Sequence, residues 1–209
     1  VNPLLKPSLT TSYEVGVDLR LLKNRVGLDL TYYSQTTDKH IFRSPLASST
    51  GYNIYEINAG EVRNRGIEAL LTFTPLRRKH WDWTVSANIT RNRNEVVSLA
   101  DGVNQLNSAT DRLFTANIIS KAGGQIGDIW GTVHERDAQG QIVIGADGLP
   151  VISDERQVLG NYNPDWFGGF TSTFTYKTFS FSFLIDTKQG GELLSTTSGL
   201  GYLFGRHIN

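Results

Sequence analysis

The stretch Thr11-Ser12-Tyr13-Glu14-Val15-Gly16-Val17-Asp18-Leu19-Arg20-Leu21, with its return from Asn24 to Tyr33, decides the fold. Tyr13, Val15, Val17, Leu19 and Leu21 fall on one side, and Ser12, Glu14, Gly16, Asp18 and Arg20 on the other. Successive side chains of a strand point to opposite faces, so the segment reads as a strand with one apolar and one strongly polar surface. After Leu22-Lys23 the pattern resumes, with Val26, Leu28, Leu30 and Tyr32 set against Arg25, Gly27, Asp29 and Thr31. A turn at Leu22-Lys23 is expected to place Val15 opposite Leu30, Val17 opposite Leu28 and Leu19 opposite Val26, with Tyr13 facing Tyr32 at the far end. The apolar faces of the two strands then coincide.

Two more hairpins repeat the design. Ile67, Ala69, Leu71 and Phe73 share a face with Ala87, Val85, Trp83 and Trp81 across a turn at Pro75 to His80. Phe170, Ser172, Phe174 and Tyr176 align with Ile185, Phe183, Phe181 and Phe179 across Lys177-Thr178. These strands are roughly ten to twelve residues long, against roughly five or six in an ordinary soluble sheet. At about 3.4 Å per residue and a strong tilt, that length crosses roughly 25 Å, the apolar band of a membrane barrel.

A soluble sandwich alternates too, with its polar side chains in water, so three further features carry the distinction. Tight turns at Leu22-Lys23, Pro75-His80 and Lys177-Thr178 alternate with long connections at about 36–64 and 92–165, the asymmetry of barrels with short turns on one side and long loops on the other. Aromatic rings gather near the strand ends on the apolar face, with Tyr13 and Tyr32 toward the long loops and Trp81, Trp83, Tyr176 and Phe179 toward the short turns, as a membrane interface favours. The opposite face carries Glu14, Asp18, Asp29, Glu68 and Asp82, with Arg20 and Arg25 near one turn. Charges are costly in hydrocarbon and belong to a wet interior or to pairs.

The expected fold is therefore all-β: an antiparallel transmembrane β-barrel portion, an up-and-down meander with long extracellular loops. Val15, Val17, Leu19, Val26, Leu28 and Leu30 are its expected lipid-facing residues. The chain has 209 residues and a formal net charge of zero, so no nucleic-acid partner is expected. Its one contiguous basic cluster, Arg77-Arg78-Lys79-His80, reads as a solvated turn. Without cysteine there is no disulfide framework and no thiolate metal site. No run of about 18 apolar residues marks a transmembrane helix. The absence of methionine, the start at Val1 and the stop at Asn209 after an apolar, Gly-rich run lead us to expect a piece of a larger protein. It has six strands, or seven if Leu193 to Phe204 holds another.

Several segments resemble a known family. Asn2-Pro3, Leu5-Lys6-Pro7, Thr11, Tyr13-Glu14 and Gly16 resemble the NPxLKPE…YExG segment of TonB-dependent outer-membrane receptors, with Ser8 in place of the usual Glu. Asn58-Ala59-Gly60-Glu61 with Asn64, Gly66, Ile67 and Glu68 is similar to the NAGxxxNxGxE signature of the SusC/RagA branch. Arg91 to Leu99 resembles the end of the following strand. Gly123 to Gly131, Leu159-Gly160-Asn161 and Asn163-Pro164-Asp165 resemble later parts of that branch. The resemblance implies that residues 1–209 are part of the C-terminal barrel domain of a TonB-dependent importer with about 22 strands around a plug. It further implies an outer-membrane location, uptake of oligosaccharides or peptides, a SusD-like surface lipoprotein, contact with outer-membrane lipid, and coupling to TonB through an N-terminal region not in this chain. The rival reading is a soluble all-β binding or adhesion module.

No catalytic constellation emerges. Asp137, Asp147 and Asp154-Glu155 lack the spacing of a calcium loop, and Gln139-Gly140 and Asp147-Gly148 read instead as turns around a short strand from Gln141 to Gly145. His40, His80, His134 and His207 are scattered, and neither a G-x-S-x-G elbow nor a phosphate-cradling glycine loop occurs. No enzyme activity, cofactor or metal is expected. Flat rings suit the apolar faces of sugars, which singles out Tyr52, Tyr55 and Trp130 as ligand-facing loop residues, against the alternative that they pack the loops themselves.

Overall fold

In the computed structural model, which describes residues 4–45, 48–52, 54–58, 60–110 and 116–206, twelve strands form three antiparallel sheets. They are β1 (Leu9–Leu21), β2 (Val26–Asp38), β3 (Ile41–Pro45), β4 (Ile54–Asn58), β5 (Gly60–Arg78), β6 (Trp81–Leu99), β7 (Gln105–Thr110), β8 (Asn117–Lys121), β9 (Asp128–His134), β10 (Ile152–Asn161), β11 (Trp166–Tyr176) and β12 (Phe179–Gln189). The principal sheet has the order β1-β2-β5-β6-β11-β12, each strand beside its predecessor along the meander. The first long connection carries the β3–β4 hairpin, and the second carries a four-stranded sheet, β10-β9-β8-β7.

All three hairpins form, with corrections to two registers. The first turn spans Leu22 to Arg25, because Leu22, Lys23 and Asn24 adopt left-handed φ angles of 52°, 57° and 61° and Arg25 N–H donates back to the Leu21 carbonyl at 3.1 Å. Two extra loop residues move every pair by two: Val15 faces Tyr32, Val17 faces Leu30, Leu19 faces Leu28, and Tyr13 faces Ser34. An even shift preserves the faces. In the second hairpin β5 continues to Arg78, so that Pro75 lies inside the strand and only Lys79-His80 turn. The register slips between Phe73 and Leu76, placing Leu71 opposite Ala87, Phe73 opposite Val85, and Leu76 opposite Trp83. Proline has no N–H for the ladder and is accommodated at such a bulge. The third hairpin has the expected register, from Phe170–Ile185 to Tyr176–Phe179.

β5 and β6 are each 19 residues long, well beyond the expected ten to twelve, so the connections narrow to 39–59 and 100–165. The stretch considered as a seventh strand holds a helix instead, α1 (Thr196–Leu203), whose N-cap Ser195 accepts a bond from Ser198 N–H at 3.2 Å.

The described buried apolar residues are Phe42, Val62, Val96, Leu106, Ala116, Ile119 and Ile129. All lie in the long connections or in the overhanging ends of β5 and β6. The apolar face of the principal sheet has none; Val15 is 74% exposed and Phe181 66%. A fully buried Val, Leu or Phe is worth about 1.5–3 kcal/mol, so leaving Val15, Leu19, Phe181, Phe183 and Ile185 in water forgoes on the order of 10 kcal/mol. That is comparable to the stability of a whole domain. This face is built to be covered.

On the polar face, Tyr33, Gly66 and Asn92 are successive partners across β2, β5 and β6. Tyr33 lies flat over Gly66, where a Cβ would collide with its ring, and its hydroxyl donates to Asn92 Oδ1 at 3.1 Å. Gly66→Ala should therefore cost about 1–3 kcal/mol, read as a lower melting temperature, and should cost much less in a Tyr33→Ala background. Equal costs in both backgrounds would exclude the notch.

His40, just after β2, donates its N–H to the Gly60 carbonyl at 2.9 Å and sets its ring edge-on to Phe42, centroids 4.7 Å apart. Burial lowers the imidazole from its ordinary value of 6.5. The unfolded chain then binds this proton more readily, so the stabilisation is complete above about 6.5 and is lost as the pH falls toward the folded value. Melting curves at about pH 7.5 and about pH 5.5 should show a smaller acid loss for His40→Gln than for the unsubstituted protein; an unchanged loss would remove His40 from the account.

Candidate functional site

The site lies where the principal sheet meets the long connections. β11 leaves β6 at the Phe167–Thr90 pair, whereas β5 and β6 stay paired up to Gly60 and Leu99. From Arg91 onward β6 therefore has no β11 partner. The edge is taken up again at Val96, which donates to Gly124 O at 2.9 Å and accepts from Gly123 N–H at 2.8 Å. A polar cleft occupies the gap.

Asparagine side chains fasten its walls. Ile126 N–H donates to Asn94 Oδ1 at 2.6 Å, and Asn163 Nδ2 donates to Ile126 O at 2.6 Å. Asn161 Nδ2 reaches Asp128 Oδ1 at 2.8 Å, while Asp128 Oδ2 accepts from Gln125 N–H at 3.0 Å. The carboxylate of Asp128 is buried, and these bonds replace the water it gives up. Gly127, at φ 94°, lies under the Tyr162 ring, where a side chain would clash. On the far side Asn58 holds the strand-1 approach, accepting from Lys6 N–H at 2.7 Å and donating to Lys6 O at 2.7 Å and Lys39 O at 2.8 Å.

The cleft consists of two adjoining cavities of about 450 and 370 Å³ that share Arg93, Gln125 and Asp128. Arg63 and Arg65 from β5 line the first and Arg91 from β6 the second. Arg63 is near Glu61 at 3.5 Å and Glu95 at 3.8 Å. Guanidinium groups, Asn and Gln amides and the carboxylates of Glu95, Asp128, Asp165 and Glu192 together make a mixed polar surface with donors and acceptors for hydroxyls and amides.

The expected ligand-facing residues are divided. Tyr52 and Tyr55 are exposed around the start of β4, and Trp130 sits on β9 in a different sheet, its ring under the Arg156 guanidinium at 5.1 Å. Val15, Val17, Leu19 and Leu30 are exposed, and Val26 and Leu28 are half-buried, all on one sheet face. Asp137 Oδ1 accepts from the N–H groups of Gln139 and Gln141, both at 2.9 Å, and Asp147 Oδ1 from Leu149 N–H at 3.1 Å. These carboxylates serve turns. The stretch from Gln141 to Gly145 makes isolated bridges, Arg136–Ile142 and Ile144–Pro150, rather than a continuous strand. His80 is in a short turn and His134 ends β9; Asn2-Pro3, Ala59 and His207 lie outside the described residues.

Motif reading passes over Arg63 and Arg65 and takes in Arg91 and Arg93 only as part of the Arg91 to Leu99 segment, without a role. Arg63-x-Arg65 and Arg91-x-Arg93 look like ordinary alternation until the register sets Arg65 opposite Arg93. The repeated R-x-R in two strands of one hairpin was the available signal.

The family model described as "TonB dependent receptor-like, beta-barrel" matches residues 1–177. The chain is 27% identical over 217 residues to TonB-dependent receptor P3 of Formosa agariphila, covering 94% of this chain and 22% of that protein. It is 25% identical over 194 residues to TonB-dependent receptor SusC of Bacteroides thetaiotaomicron, covering 87% and 19%. The solved structure of the RagAB peptide importer in its open-open state superposes with a TM-score of 0.67 at 20% identity, covering 91% of this chain and 21% of that one. The chain thus spans about a fifth of the length of these relatives. With its antiparallel meander and this match over most of its length, the chain belongs to the TonB-dependent receptor-like β-barrel family.

Proposed function

We propose that this chain is a section of the barrel wall of an outer-membrane, TonB-dependent nutrient importer, without catalytic chemistry of its own. The observation that carries the reading is the two-faced sheet: an apolar face with no buried apolar side chain among the described residues, backed by a polar face of carboxylates, amides and hydroxyls. Val15, Val17, Leu19, Val26, Leu28 and Leu30 face lipid in this reading, and Asp18, Asp29 and Glu68 face the lumen. A hydroxyl within the apolar face is already satisfied, since Ser172 is buried and accepts from Trp83 Nε1 at 3.0 Å, which fits a setting without water. A soluble module would need a second sheet over these side chains.

The cargo is an oligosaccharide or a peptide, received with a SusD-like surface lipoprotein. The peptide named for the RagAB importer, and the likeness to the TonB-dependent receptor SusC that matches the branch resemblance, support this reading. Tyr52, Tyr55 and Trp130 remain the aromatic contacts proposed for it, and the coupling to TonB belongs to parts of the receptor outside this chain.

The test uses the whole receptor in its membrane, with single cysteines introduced on a cysteine-free background. Val17→Cys should react only with a lipid-soluble maleimide and Asp18→Cys only with a membrane-impermeant one. Reaction of both from water, together with folding in the absence of detergent or lipid, would replace the barrel with the soluble module.

A further inference from the structure

On β5 the outward series runs Phe73, Leu71, Ala69, Ile67 and then changes abruptly to Arg65 and Arg63; on β6 it runs Trp81, Trp83, Val85, Ala87, Ile89 and changes to Arg91 and Arg93. The neighbouring strands make the same transition with neutral residues, Tyr32 giving way to Ser34 on β2 and Tyr13 to Thr11 on β1. Four guanidinium groups are thus gathered on two adjacent strands, at the long-loop rim of the apolar band and on the apolar side of the sheet.

Carboxylates line the same cleft, Glu95 and Asp128 beside Arg63, Arg65 and Arg93, and Asp128, Asp165 and Glu192 beside Arg91, but few of them pair directly with these arginines. Glu61 and Glu95 both engage Arg63, and among the described residues Arg65, Arg91 and Arg93 have no acidic partner within ion-pair distance. Arg65 and Arg93 are direct cross-strand partners, an arrangement of like charges that destabilises a sheet. The Arg63, Arg65 and Arg93 side chains also line one cavity of about 450 Å³ together with Gln125, Glu95 and Asp128, and the Asp128 carboxylate is already engaged by Gln125 N–H and Asn161 Nδ2. Arginine matches phosphate geometry with paired N–H donors, and long cationic side chains at the edge of an apolar band reach into the headgroup layer.

We infer that Arg63, Arg65, Arg91 and Arg93 form a docking surface for the phosphate groups of an outer-leaflet glycolipid, a phosphorylated saccharide carrying acyl chains. The inference rests on the proposed membrane setting, in which the acyl chains lie along Ile67, Ile89 and the apolar rows beneath. The lipid phosphates come within pairing distance of Arg65, Arg91 and Arg93, which the carboxylates of the cleft do not, and relieve the Arg65–Arg93 repulsion.

The experiment titrates the detergent-purified whole receptor with lipid A, with its dephosphorylated form and with inorganic phosphate, reading bound lipid by native mass spectrometry. Lipid A should bind at least about tenfold more tightly than its dephosphorylated form, and Arg65→Gln/Arg93→Gln should lose about that factor. Lys177→Gln, in a short turn at the opposite rim, should leave binding unchanged. Inorganic phosphate should not displace the lipid at matched concentration. Equal binding by the doubly substituted and unsubstituted proteins would overturn the site, as would saturation of the same arginines by phosphate alone. The cysteine labelling above separates the two failures: labelling as expected with unchanged lipid binding removes only this site, whereas failed labelling removes the membrane setting as well.

Discussion

A strand that crosses hydrocarbon must find a partner for every backbone N–H and C=O inside the protein, because no water is available to it. The order β1-β2-β5-β6-β11-β12 meets that demand with the simplest connectivity, each strand bonded to those before and after it. Among the described residues β1 and β12 each pair on one side only. Such open edges invite further pairing, and in a closed barrel other strands supply it. The same ladder sorts the side chains. Period-two alternation sends Val17 and Leu30 to one face and Asp18 and Asp29 to the other, so covering the apolar face and wetting the polar one become two parts of one constraint.

The alternation was fully legible because it is local: each residue's face follows from its parity along the strand. Register was legible only where the turn was. Lys177-Thr178 is a true two-residue turn, and the third hairpin follows directly from it. Three successive left-handed residues at Leu22, Lys23 and Asn24 are not signalled by glycine, so the first hairpin takes a longer loop than its sequence suggests. Pro75 reads as a turn residue, yet the strand passes through it as a bulge, with Thr74 N–H donating to Arg25 O at 2.7 Å. The first shift is even, and so is the second up to Phe73, which is why those faces survived; beyond Pro75 the bulge adds one residue, so Leu76 takes the apolar face opposite Trp83 and Arg77 the polar face opposite Asp82.

The site was less legible, since its parts come from segments far apart in the chain. The motif residues carry the family resemblance, and the structure gives them mechanical work. Asn58 joins the Lys6 backbone to Lys39, Asn94 and Asn163 hold the two polar groups of Ile126, and Gly66 makes room for Tyr33. An asparagine offers both a donor and an acceptor at the end of a short side chain, which suits it to capping backbone groups that irregular connections leave unpaired. These residues therefore define how long connections attach to a barrel rim. The exposed Tyr52 and the Trp130–Arg156 stack lie apart from these fasteners.

Charge on the two faces follows different rules, and the contrast shows where the chain is incomplete by itself. On the polar face Asp18 lies opposite Asp29, a like-charge pair, but Arg20 is 2.9 Å from Asp18 and water in a lumen screens what is left. Arg77, at the short-turn end, likewise has Asp82 at 3.7 Å. At the opposite rim Arg65 lies opposite Arg93 with no carboxylate in ion-pair distance among the described residues, although Glu61 and Glu95 sit within reach of Arg63 and Asp128 lines the same cavity. Among the described residues Arg65, Arg91 and Arg93 thus stand outside ion-pair distance of any carboxylate, although Glu95 and Asp128 line the same cleft, and this spacing is what the inferred docking surface would use. In the inferred docking surface the apolar rows immediately beneath, from Ile67 and Ile89 downward, receive the acyl part of the same ligand.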